Sequence, residues 1–106
     1  MLYCAICFGD RDQARAYRAQ KSKHLSYWRR HHALQLAGPF YDEDHQTKIG
    51  CLIVIRAANR EAAEEIFHHD PLYQSGVFSS CEIHPWGVVT EMLHDPTPEG
   101  AGASQR

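Results

Sequence analysis

Nine residues in the middle of the chain, IGCLIVIRA at 49–57, constrain the fold more than any other stretch. They are rich in β-branched side chains and almost uninterrupted in their apolar character. A strand with one wet face would alternate, so this run reads as a strand covered on both sides. The remaining segments have to supply those two covers.

LYCAICF at 2–8 reads as a first strand, ending at the Gly9-Asp10 turn. Asp10 or Asp12 is a candidate cap for the helix that follows. Residues 11–32 contain no glycine or proline, and Ala14, Tyr17, Lys21, Leu25, Trp28 and His32 recur every three or four positions. That spacing predicts an amphipathic helix interrupted by Lys21, with His24 near the edge of its buried stripe. ALQLAGPF predicts a short second strand stopped at Gly38-Pro39, and YDEDHQTK a polar loop. Asn59 caps a second helix, REAAEEIFHH, whose apolar face is Ala62, Ala63, Ile66 and Phe67. Pro71 stops that helix and pushes Asp70 into an extended conformation. PLYQSG reads as a turn or a single helical turn, and VFSSCEIHPWGVV at 77–89 as the last strand. The small-residue tail PTPEGAGASQR at 96–106 reads as disordered, leaving residues 1–95 as one domain.

The order strand, helix, strand, strand, helix, strand is that of an α+β, ferredoxin-like βαββαβ fold. Two helices cover one face of a four-stranded antiparallel sheet. A second copy of the chain is the simplest cover for the other face, which predicts a homodimer.

A net charge of −2 over 106 residues argues against nucleic acid as a partner. The one basic stretch, KSKHLSYWRRHH, reads as a solvated helix face. No apolar run approaches the roughly 20 residues of a membrane span. MLYCAICF has no basic region before it and reads as a strand, not a leader. The four cysteines fall in apolar runs. Cys4 and Cys7 point to opposite faces of a strand, so the expectation is four reduced thiols in a cytoplasmic protein. No Cys/His spacing suits zinc, and none of the eight histidines is four residues from another, so neither a metal nor another cofactor is expected.

Several pieces together resemble the YciI-like (YCII-related) family: MLYCAICF, KHL on the first helix, LAGPF after it, and GCLIVIRAANREAAEEIFHHDPLYQSGVFSSCEIHPW. They span about residues 1–86, and their order and spacing are more specific than any one of them. The resemblance implies a dimeric α/β barrel and a site made by a histidine and an aspartate, which map to His24 and Asp70. It also implies small, often aromatic, substrates. The family includes a dehydrochlorinase of a chlorinated hydroxylated ring, while most members have no assigned reaction. The sequence departs from the family in lacking an acidic-glycine-basic turn after the first helix, in a shorter YDEDHQTKIG loop, and in KSKHL, which offers Lys21 and Lys23 without the usual proline.

A histidine that meets a carboxylate is a positioned general base. His24 is the candidate base and Asp70 its partner, for elimination or isomerisation on a small molecule. Lys21, Tyr73 and Ser75 are candidate substrate contacts, and no base adjoins Ser75 to make it a nucleophile. His68 and His69 are accounted for by the helix C-terminus. The alternatives are a non-catalytic dimeric ligand-binding or accessory module and, last, a histidine-rich metal-linked protein.

Overall fold

The computed structural model describes residues 1–10 and 14–89. The tail expected to be disordered, the far end of the 1–95 domain and Asp12 lie outside the described residues. The elements run β1 (Leu2–Phe8), α1 (Ala14–Arg30), β2 (Leu34–Tyr41), β3 (Lys48–Arg56), α2 (Arg60–His68), α3 (Pro71–Gln74) and β4 (Ser80–Trp86). The strands form one antiparallel sheet in the order β2-β3-β1-β4. This is the ferredoxin-like arrangement, with PLYQ as a single helical turn.

The IGCLIVIRA run lies in β3, one of the two inner strands, and Ile53, Val54 and Ile55 are almost fully buried. Burial of such a side chain contributes about 1.5–3 kcal/mol. Tyr3, Ala5 and Cys7 of β1 and Cys51, Ile53 and Ile55 of β3 meet Trp28, Ala63 and Phe67 of the helices. A smaller cluster of Tyr17, Leu72 and Val77 closes one end. Gly50 is required where β3 meets β1, because a Cβ there would collide with the Cys7 carbonyl.

The opposite sheet face carries Leu36, Phe8 and Trp86, all exposed in the single chain, with Phe8 stacked on Phe40 at 4.9 Å between centroids. The β3 run is thus covered by helices on one side and by a partly open apolar surface on the other.

Four expectations change. β2 does not stop at Gly38-Pro39 but continues to Tyr41. It is an edge strand, where the missing N–H of Pro39 is tolerated. β4 begins at Ser80 rather than at Val77, because Val77 belongs to the small cluster with Tyr17 and Leu72. On α1 the buried face carries Tyr17, His24 and Trp28, while Leu25 is exposed. The stripe is centred on the histidine, not on Lys21 and Leu25. Finally, the cysteines are not four free thiols. Cys7 and Cys81 are disulfide-bonded and Cys4 and Cys51 are free. The bond joins residues that face each other across β1 and β4, with Cα atoms 4.1 Å apart. The premise for a cytoplasmic location is removed with it.

Candidate functional site

Asp70 is 2% exposed, the one charged residue buried in the described core. Its backbone is extended (φ −64°, ψ 124°), as the following proline requires, and it caps α3. Its carboxylate is surrounded by donors from two elements. The Leu72 amide donates to Oδ1 at 3.0 Å. The Trp28 indole donates to Oδ2 at 3.0 Å. His24 Nδ1 lies 2.9 Å from Oδ1 and 2.8 Å from Oδ2. Trp28 and His24 are four residues apart on α1, so one helical face delivers both side chains.

An ionised carboxylate only accepts, so the proton between the two groups belongs on His24 Nδ1. That fixes the tautomer and leaves Nε2 as the proton acceptor, with no partner among the described residues. The histidine side chain remains 15% exposed. The charge on Asp70 is felt by its neighbours. Burial, and then that charge, push the Cys51 thiol up to about 12 and the Tyr27 hydroxyl upward as well. Tyr27 donates to the Ile66 carbonyl at 2.7 Å, which ties α1 to α2 beside the pair. The Tyr17 hydroxyl is buried without a partner among the described residues. Burial and the adjacent Cys51 raise its pKa.

A cavity of about 290 Å³ opens on Asp70 between the helices and the β1–β4 side of the sheet. Ile53, Phe67, Phe78 and Ile83 give it apolar walls, and Arg60, Glu64, His68 and Tyr73 give it polar ones. Tyr73 stacks on His68 at 4.7 Å. Arg60 donates to the Ile83 carbonyl at 2.8 Å. His24 is not part of this lining and reaches the same carboxylate from α1.

Among the residues singled out from sequence, His24 and Asp70 are in contact and Tyr73 lines the cavity. Ser75 donates its hydroxyl to the Leu72 carbonyl at 2.7 Å, at the end of α3. Lys21 is exposed on α1, near Lys48, whose pKa is lowered by burial and then by Lys21. Neither Ser75 nor Lys21 lines the cavity. Sequence reasoning missed Trp28 as a donor and Arg60, Glu64 and His68 as lining. The helical spacing of His24 and Trp28 was the available signal for the first; the others look like ordinary surface charge. Among the described residues no three His, Cys, Asp or Glu side chains converge to hold a metal ion. No helix among them is long and apolar enough to cross a membrane.

A family model described as the YCII-related domain matches residues 1–87. No curated protein sequence matches the chain significantly. Among solved structures, the chain is similar to the 5-chloro-2-hydroxyhydroquinone dehydrochlorinase of Burkholderia phenoliruptrix AC1100 in complex with 2,5-dihydroxybenzoquinone. The TM-score is 0.76 and the identity 17%, over 86% of this chain and 98% of that one. An antibiotic biosynthesis monooxygenase is similar at TM-score 0.54 and 10% identity, over 84% and 99% of the two chains. Rv0793 of Mycobacterium tuberculosis follows at 0.52 and 14%, over 82% and 95%. At these identities the likeness is one of fold.

Proposed function

The chain belongs to the YCII-related family, and from that premise we propose that it is a homodimeric small-molecule enzyme using His24 and Asp70 for acid–base chemistry without a metal. The observation that carries the reading is the His24 Nδ1 to Asp70 contact at 2.8 Å on a carboxylate that is 2% exposed. A buried charge is retained only with partners, and this one is given three. His24 Nε2 takes a proton from a ring hydroxyl or from a carbon beside a carbonyl. Asp70 stabilises the imidazolium, and the electron pair moves through the substrate to expel a leaving group such as chloride, or to shift a double bond. When chloride leaves, the imidazolium passes its proton to solvent, so that HCl is lost overall; in the double-bond shift it returns the proton to a different atom of the substrate. A positioned base of this kind contributes on the order of 10²–10⁴-fold in rate.

The cavity of about 290 Å³ suits a single-ring molecule, and its apolar walls favour a planar, aromatic one. Tyr73 is the substrate contact within it. Lys21, one turn before His24, is kept as the contact for a negative group at the solvent side, and Ser75 as a polar neighbour at the end of α3. The partner subunit covers the sheet face that carries Leu36, Phe8 and Trp86.

A second reading is favoured by one observation: His24 lies outside the cavity lining. In that reading the cavity of a dimeric module binds a ligand without turnover, and the His–Asp pair only anchors α1. The experiment offers the protein 5-chloro-2-hydroxyhydroquinone and follows chloride release together with calorimetric binding. The enzyme reading expects release that falls by about 10²–10⁴ in His24→Ala. Binding with no release selects the module. Full release by His24→Ala overturns the role given to that residue.

A further inference from the structure

Three cysteines stand in one row across the sheet. The strand registers place Cys81 of β4 opposite Cys7 of β1, and Cys7 opposite Cys51 of β3. Cys7 and Cys81 are bonded and Cys51 is a buried thiol. Both bonded cysteines line the cavity that reaches Asp70. Two features set this bond apart from a structural staple. The strands it joins are already paired from Leu2–Trp86 to Phe8–Ser80, so it is not needed to bring them together. It also lies next to the open edge of the sheet, with Cys81 only half-buried and facing a cavity.

We propose that Cys7–Cys81 is a reversible thiol–disulfide exchange site, reduced and re-formed in the folded protein by low-molecular-weight thiols that enter the cavity. A thiolate attacks the more accessible Cys81 sulfur and forms a mixed disulfide. The S–S bond breaks and Cys7 leaves with the electron pair as a thiolate, then takes a proton. A second thiolate attacks the sulfur of the bound small thiol, which frees Cys81 and carries away the small-molecule disulfide. The net change is two small thiols converted to their disulfide and the protein disulfide converted to two thiols. Glutathione disulfide reverses it.

Cys51 does not compete. The thiolate is the attacking species, and burial beside Asp70 holds the Cys51 thiol protonated at neutral pH. Reduction lets the two bonded sulfurs separate from bonding distance to van der Waals contact. The wall shared with Asp70 then changes shape, so the redox state and the occupancy of the cavity are coupled.

The test equilibrates the intact protein with mixtures of reduced and oxidised glutathione, quenches in acid, alkylates the free thiols and maps them by mass spectrometry. The expected result is that Cys7 and Cys81 gain and lose label together, reversibly, while Cys51 stays a thiol and the far-ultraviolet circular dichroism is unchanged. The amide signal of Leu72 and the indole signal of Trp28, both donors to Asp70, shift between the two states. Four results would overturn the proposal. These are a bond that resists reduction until the protein is unfolded, thiols that never oxidise in excess glutathione disulfide, label exchange that includes Cys51, and signals at Leu72 and Trp28 that ignore the redox state. The readout on the wild-type protein stands without any variant. Cys81→Ser and Cys7→Ser should each abolish the paired transition.

Discussion

Two caps, eleven positions apart, do the same local task in different surroundings. Asn59 opens α2, with an extended backbone and its side-chain oxygen accepting from the Ala62 amide at 2.8 Å, and it is exposed to solvent. Asp70 opens α3 and accepts from the Leu72 amide at 3.0 Å, but it is buried and also receives Trp28 and His24. A cap contributes about 1 kcal/mol. Desolvating a carboxylate costs several kcal/mol unless its partners offset it. A four-residue helix does not call for a buried charge to start it. The order of purpose is therefore reversed at Asp70, where the helical turn and its proline hold a carboxylate still. At Asn59 the side chain merely starts a helix.

The contrast can be broken by measurement, and the largest effect comes first. Asp70→Ala leaves the buried Trp28 indole N–H, the Leu72 amide and the half-buried His24 imidazole without their acceptor, and is expected to lower stability by about 3–5 kcal/mol in urea denaturation. A loss no larger than that of Asn59→Ala would make the two caps equivalent. Asp70→Asn keeps a capping oxygen and removes the charge, at an expected loss of about 2 kcal/mol. Its sharper readout is the ring ¹⁵N spectrum of His24, which should show Nδ1 protonated in the wild type and lose that preference in the variant. Trp28→Phe removes one donor and keeps most of the packing, so about 1–2 kcal/mol is expected.

Alkaline titration reaches the same charge from a neighbour. The Cys51 thiol titrates at about 12 in the folded protein against an ordinary 9.0. Folding therefore favours its protonated form. The stabilisation it contributes is complete below about pH 9 and is lost as pH rises towards 12. Thermal melts over that window should fall less steeply in Cys51→Ala, and also in Asp70→Asn, where one cause of the shift is gone. The smallest change is Asn59→Ala, expected at about 1 kcal/mol with the His24 spectrum unaltered. A changed spectrum there would mean that α2 and the pair are not separate.

Most of the fold could be read along the chain because its signals are local. The β3 run, the Asn59 cap and the stop at Pro71 each act over a few residues. The extended backbone of Asp70 follows from the proline after it. What was illegible depends on what a residue meets. The buried stripe of α1 was misphased because its central position is a histidine, which an apolar pattern passes over in favour of Leu25. Gly38-Pro39 looked like a terminator because its place at a sheet edge is a property of strand order. Cys7 and Cys81 are 74 residues apart and meet through register alone. The His24–Asp70 contact spans 46 residues and was suggested by family resemblance, not by spacing. Arg60 and His68 carry no local mark that distinguishes cavity lining from surface.

The prolines of the sheet have a consequence of their own. Pro39 lies within β2 and Pro85 within β4, and these are the two outer strands. A strand arriving from another molecule finds each border short of a donor, so continuous growth of the sheet sideways into a fibre is discouraged at both ends. A copy of this chain can therefore expose an apolar sheet face while its borders are guarded against open-ended addition.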